Sequence, residues 1–316
     1  MHYRTLGRTN LSVSALALGT VELGMDYGIQ APGHFGRPGE AEAIGIVHAA
    51  LDAGINLIDT ARAYGDSEAV LGRALKHRRD QVVLATKVAL HQPSGALPTG
   101  DALRAHMLAN LETSLRLLQT DYVDIWQLHL VDEAVLAQHE TIAAVFTEAR
   151  RSGKVRFTGG SFYGAAMPEA ALAHDLFDMM QVTYSVLDQR LADRVFPLAQ
   201  ARNVGIIVRS VLLKGALTDR ADHLPARLEP LRVRSRHFRQ LVAESGLNLS
   251  PAQAALAFAL AHPQIGAALV GVRTLDELHD DLVAAHTHLP PDLLGQLSAL
   301  RLDDDELLNP GTWGDV

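Results

Sequence analysis

Four side chains in this sequence are of types that together move a proton to or from a carbonyl oxygen: Asp59, Tyr64, Lys87 and His129. Asp59 closes a short apolar run in INLIDTARAYGDSE, and Tyr64 follows it by five residues. Lys87 closes a second run in VVLATKV, and His129 a third in DIWQLHL. A phenol titrates near 10, too high for easy proton exchange at neutral pH, and a neighbouring ammonium lowers that value. Lys87 is suited to do this to Tyr64, Asp59 to hold the ammonium in place, and His129 to bond a substrate oxygen. No protein side chain donates a hydride, so a redox step needs a nicotinamide or a flavin. Each residue alone is ordinary, since a strand-end lysine is usually half of an ion pair. Their joint placement at three successive strand ends carries the information.

The elements that must position them alternate regularly. Short β-branched runs are expected as strands at Ala15–Leu18, Asn56–Ile58, Val82–Thr86, Val123–Leu128, Val155–Thr158, Met179–Val182, Gly205–Val208 and Ala268–Val270. Most are apolar without alternation, as parallel strands covered on both faces are. Helical patterns lie between them: Glu40–Ala53 stops at Gly54, His139–Ser152 stops at Gly153, and Ser250-Pro251 opens another as cap and first-turn proline. Eight β–α alternations predict an α/β fold, a (β/α)8 TIM barrel in one domain over residues 1–316, in which strand ends converge at the mouth. Long loops are expected at about 24–39, 91–100 and 211–232, with a loose C-terminal tail beyond about 301.

Composition narrows the function. With 28 basic and 36 acidic residues the net charge is −8, so nothing draws the chain generally to nucleic acid or an anionic membrane. There are no cysteines, which removes disulfides, thiolate metal sites and a cysteine nucleophile. No metal site is expected; His286 and His288 lack acidic strand-end partners and read as surface residues. The N-terminus lacks the apolar core of a signal peptide, and no run approaches the roughly 18 apolar residues of a span, so a cytoplasmic protein is expected. Arg232, Arg234, Arg236 and Arg239 read as a solvated helix face.

Several long motifs, in order, resemble the aldo-keto reductase superfamily over nearly the whole chain: YRTLGRTNLSVSALALGT, GINLIDTARAYGDSE, LATKV, DIWQLHL, FTGGS, QVTYSVLD and LVGVRTLDELHDDLVAA. The resemblance implies a barrel that binds NADPH, or less often NADH, and interconverts aldehydes or ketones with alcohols. Tyr64 would then be proton donor in reduction and acceptor in oxidation. Ser161 and Gln181 would hold the nicotinamide carboxamide, Gly19 and Thr20 would lie near the nicotinamide ribose, and Asp59 would also border the cofactor. Ser210, Leu212 and Gly215 would border the pyrophosphate, and Gly271 and Arg273 the adenosine ribose and its 2′-phosphate. A sugar is a candidate substrate, and association of identical subunits is left open. A nucleotide-binding redox sensor with slow turnover is the alternative.

Four positions depart from the family pattern. Phe162 stands where an amide is common, and its ring is expected to line the substrate pocket with Val21, Tyr27, Tyr64, His91, Trp126, His129 and Trp313. Arg209 stands where an aromatic often stacks on the nicotinamide; it is suited to stack there or to meet a phosphate or an anionic substrate. Glu277 and Asp281 place carboxylates where the 2′-phosphate and the adenine are expected. They oppose a 2′-phosphate, while Arg273 favours one. The expectation is therefore NADPH-leaning or dual use, with NADH as the alternative.

Overall fold

Eight parallel strands close on themselves in the order β10–β3–β4–β5–β6–β7–β8–β9. A computed structural model describes residues 1–33, 35–314 and 316; His34, in the loop after the first barrel strand, and Asp315, in the tail, lie outside the described residues. The strands are β1 (Tyr3–Thr5), β2 (Ser12–Ser14), β3 (Leu16–Gly19), β4 (Leu57–Asp59), β5 (Val83–Val88), β6 (Val123–Leu128), β7 (Val155–Ser161), β8 (Met179–Thr183), β9 (Gly205–Arg209) and β10 (Ala267–Gly271). The helices are α1 (Val21–Gly24), α2 (Glu40–Asp52), α3 (Ser67–Ala74), α4 (Gly100–Leu118), α5 (Glu133–Leu136), α6 (His139–Arg151), α7 (Ala166–Leu172), α8 (Val195–Ala201), α9 (Glu229–Glu244), α10 (Pro251–Ala261), α11 (Leu275–Ala284) and α12 (Pro291–Ser298). This is the (β/α)8 barrel, and all eight expected strands belong to it. Among the described residues no helix is long and apolar enough to cross a membrane.

The barrel strands alternate their side chains between two environments, because the strand period is two. Ala17, Leu57, Ala85, Ile125, Met179, Ile207 and Ala267 share one cluster inside the barrel. Residues one step along, such as Leu16, Leu18, Ile58, Leu84 and Trp126, belong to the larger cluster between strands and helices. Two residues beyond the inner apolar layer come Gly19, Asp59, Lys87, Gln127, Gln181 and Arg209. The register sets them side by side: Gly19 pairs with Asp59, and Lys87 with Gln127. The polar floor of the mouth is thus the layer directly above an apolar plug.

Two features were not expected. An antiparallel hairpin, β1–β2, precedes the barrel and sends Leu6, Leu11 and Val13 into the inner apolar cluster. It closes the end of the barrel opposite the mouth; three-residue strands carry too few residues to show a period. The tail is not loose either. Pro310, Trp313 and Val316 are buried, and the Val316 carbonyl accepts from the Gln30 amide at 2.8 Å. The Arg227 guanidinium bonds the Trp313 carbonyl, so the tail ties the loop after β3 to the long loop after β9. That long loop is itself wound into 3-10 turns and ends where α9 begins at Glu229. The arginines of α9 largely face neighbouring carboxylates: Arg232 pairs with Glu229, and Arg239 with Asp222.

Candidate active site

Asp59, Tyr64, Lys87 and His129 meet at the barrel mouth. Lys87 Nζ bonds Asp59 Oδ2, donates to the Thr60 carbonyl at 3.1 Å and lies 3.2 Å from the Tyr64 hydroxyl. The other Asp59 oxygen accepts from Gln127 at 2.8 Å and from Gln181 at 2.9 Å. Lys87 and Asp59 are buried side chains, 0% and 3% exposed, so bulk solvent screens this pair little. His129 lies edge-on to the Tyr64 ring, centroids 5.3 Å apart.

Electrostatics correct one expectation. Burial pushes the Tyr64 phenol above its ordinary value, and Lys87 only partly opposes this. The site therefore holds Tyr64 as a neutral phenol, which gives up its proton only to a group that accepts it. Burial alone would lower Lys87, but the Asp59 carboxylate outweighs it and holds the ammonium above its usual range. Burial, with Lys87 and Arg209 adding to it, drops the His129 imidazole to about 3, so at neutral pH it is uncharged.

The loop carrying Tyr64 is fixed by groups that single-residue reading passed over. Ser67 donates to Thr20 at 2.6 Å and lies 2.9 Å from the Thr60 hydroxyl; Thr20 donates to the Asp59 carbonyl at 3.0 Å. Ser67 therefore ties α3 to the floor of the mouth and does not cap the helix. Buried Glu68 takes Arg62 at 2.5 Å and Thr86 at 2.7 Å. Gly24 is packed under this loop: a Cβ there would stand 2.0 Å from the Tyr64 carbonyl oxygen and 2.5 Å from the Ser67 nitrogen. Gly24→Ala is expected to destabilise the protein by about 1–3 kcal/mol through overpacking, and to lower kcat because the backbone of Tyr64 must move. Urea unfolding and turnover of the same preparation check this; no change in either would show that the loop yields freely.

A cavity of about 380 Å³ is lined by Asp59, Tyr64 and His129, with Lys87 behind Asp59 and Tyr64. Gly19, Thr20, Val21, Tyr27, Ser161, Gln181, Arg209, Ser210, Leu212, Gly215, Gly271 and Arg273 all line it. It also takes in Glu22, Tyr163, Lys214 and Arg220, which were not foreseen. A second cavity of about 730 Å³ continues it, sharing Leu212, Arg220, Gly271 and Arg273. Glu277 and Asp281 line this second space. The backbone between the two turns sharply, with Ser210, Leu213, Lys214 and Gly215 all at positive φ.

Four expected pocket residues lie elsewhere. Trp126 is fully buried against Phe146, rings 5.5 Å apart, because it is one residue out of phase with inward-facing Gln127. Phe162 is out of phase with Ser161 in the same way; its ring packs on Phe177 at 5.6 Å. His91 bonds Asp132 at 2.7 Å on the loop after β5 and does not reach the cavity. Trp313 is 2% exposed, donates to the Leu307 carbonyl at 3.2 Å and packs into the outer core. Tyr163, one residue past Phe162, is the aromatic that does face the cavity, with the Arg209 guanidinium 3.9 Å above its ring. Arg209 also donates to the Phe162 carbonyl at 2.8 Å. Gln181 is committed through its amide nitrogen to Asp59, which leaves its oxygen for any carboxamide.

The chain matches the family model described as "Aldo/keto reductase family" over residues 15–301. It is 32% identical over 325 residues to the uncharacterized oxidoreductase YrpG of Bacillus subtilis, covering 94% of this chain and 95% of that one. It is 32% identical over 227 residues to the NADH-specific methylglyoxal reductase of Escherichia coli, covering 67% of this chain and 68% of that one. Among solved structures it superposes on the holo form of aldo-keto reductase AKR11C1 from Bacillus halodurans with a TM-score of 0.78, at 27% identity, over 96% of this chain and 97% of the other. The closed barrel, the four polar residues at its mouth and these matches agree, and the chain belongs to the aldo/keto reductase family.

Proposed function

We propose that this oxidoreductase interconverts a small aldehyde or ketone and its alcohol, with Tyr64 as the proton donor in reduction. The observation that carries the reading is the Tyr64 hydroxyl 3.2 Å from a buried, charge-paired Lys87 on the cavity floor. A carbonyl oxygen brought to Tyr64 takes its proton. The phenolate left behind is stabilised by the ammonium, which Asp59 keeps charged. Neutral His129 donates a second hydrogen bond to the same oxygen and holds the carbonyl in line. In oxidation the same groups run backwards. The residues present fit a dinucleotide: the two joined cavities form one groove, and a sharp turn of left-handed backbone and Gly271 leave room along it. When bound there, a nicotinamide supplies or accepts the hydride.

Of the two cofactors we favour NADH. Glu277 binds Arg220 at 2.6 Å and Arg273 at 2.5 Å, and its second oxygen accepts from the Arg273 amide at 2.7 Å. Both guanidiniums that would meet a 2′-phosphate are already engaged. Six acidic side chains, of which burial raises Asp281, and three arginines line the outer cavity, so a 2′-phosphate enters an unfavourable field. Ribose hydroxyls instead find acceptors. Glu277→Gln is expected to raise kcat/KM for NADPH about tenfold by freeing those arginines, with little change for NADH. A wild-type preference for NADPH of about a thousandfold would overturn this choice.

The test of the function is a panel of small aldehydes, ketones and sugars assayed with both reduced cofactors, and the matching alcohols with the oxidised ones. Turnover supports the reading. Tight nucleotide binding with negligible turnover across the panel would favour a sensor in its place.

A further inference from the structure

Glu22 stands at the junction of the two cavities. It lines the catalytic mouth, and its carboxyl rests on Gly271, which lines both spaces. A Cβ at position 271 would lie 2.1 Å from Glu22 Oε2 and 2.3 Å from Oε1, so the glycine is what admits the carboxyl. Oε2 is buried and, among the described residues, has no hydrogen-bond partner. Arg220 and Arg273 are close enough to act on its charge, yet both spend their bonds on Glu277. Burial pushes the Glu22 carboxyl up to about 7; a backbone hydrogen bond pulls against this, Glu277 adds to it, and the two arginines oppose it.

A buried polar atom left without a partner costs free energy, and a groove residue in that state is poised for a ligand. Two forms of Glu22 meet a dinucleotide differently. The carboxylate repels the diphosphate, whereas the neutral acid donates to it. We propose that Glu22 is a nucleotide-binding residue that meets the bound dinucleotide as a neutral acid, donating to its diphosphate, so that binding takes up a proton from solvent. This rests on the dinucleotide reading above.

The groups around Glu22 leave it as the titrating one near neutrality. Burial would raise Glu277, but its bonds to Arg273 and the charges of Arg273 and Arg220 outweigh that and hold it below its ordinary value. Tyr27, on the loop past α1, is pushed up by burial and by Glu22. His129 titrates near 3. Asp281 on α11 is also raised, by burial, then by Asp280, Glu277 and Glu22, and it competes with Glu22 for the role.

The dissociation constant of NADH, measured by calorimetry for the intact protein, separates the cases. Wild type is expected to bind about tenfold more weakly at about pH 8 than at about pH 6. Titrations near neutral pH in two buffers of different ionisation heat should show proton uptake. Glu22→Gln, which keeps a neutral donor in place, should change less than about twofold across that range and take up no proton. Asp281→Asn should keep the wild-type dependence. If Glu22→Gln keeps that dependence, or Asp281→Asn removes it, Glu22 is not the group. Tight wild-type binding with no dependence on pH overturns the Glu22 assignment alone. No NADH binding at either pH overturns the dinucleotide reading along with it.

Discussion

Tyr64→Phe is expected to lower kcat for carbonyl reduction by roughly 10²–10⁴-fold, the usual contribution of a positioned general acid, while NADH binds with unchanged affinity. The variant removes one oxygen and leaves the ring in its place beside His129, so the barrel should fold as before. The loss should fall on kcat, because the Tyr64 proton moves only in the reacting complex. Burial holds the phenol protonated and Lys87 awaits the phenolate, a pairing that the Phe side chain does not reproduce. Neutral His129 remains able to polarise the carbonyl, which leaves residual turnover above zero. Single-turnover kinetics with prebound NADH check this. Activity within about tenfold of wild type would remove Tyr64 from the role.

Asp59→Asn has the largest expected effect on stability. It leaves the fully buried Lys87 ammonium without a counter-charge, a change that typically costs about 3–5 kcal/mol. The pH dependence gives the sign. In the wild type Asp59 holds Lys87 above its ordinary value, so the pair's contribution is present below the unfolded lysine value and is lost only as pH rises through the higher folded one. In the variant burial acts unopposed and depresses Lys87. The unfolded chain then binds the extra proton, and stability should rise with pH up to the alkaline range. Urea unfolding at neutral and mildly alkaline pH measures both. A companion change of Lys87→Met in the same variant should recover much of the loss, since it removes the stranded charge. If Asp59→Asn costs less than about 1 kcal/mol at neutral pH, the pair is not the buried keystone its geometry describes.

Some of the site was readable because strand ends are local. Asp59, Lys87 and His129 each close an apolar run, and a barrel brings such ends together whatever its loops do. Trp126 and Phe162 were misplaced for a reason the sequence already held. Gln127 and Ser161 face inward, so their neighbours on the same strands must face out; strand parity would have excluded both. The same parity would have pointed to Tyr163. Glu22 had no such signal: it lies on the four-residue α1, whose orientation depends on Gly24 fitting under the Tyr64 loop. His91 and Trp313 belong to segments whose course is set by distant partners, Asp132 for one and the outer core for the other.

The amino-acid sequence by itself determined the alternation of strand and helix and the four polar residues at the strand ends. Those follow from short-range periodicity, which each segment carries within itself. Tertiary structure alone decided the charge states and the pairings. Whether Tyr64 is a phenol depends on burial from several elements at once, and that burial reverses the simple effect of its lysine neighbour. Whether Arg273 is free for a phosphate depends on Glu277 and on Arg220 from the distant loop after β9. Electrostatic energies at a site depend on distance and solvent exposure, and neither quantity exists until the chain has closed.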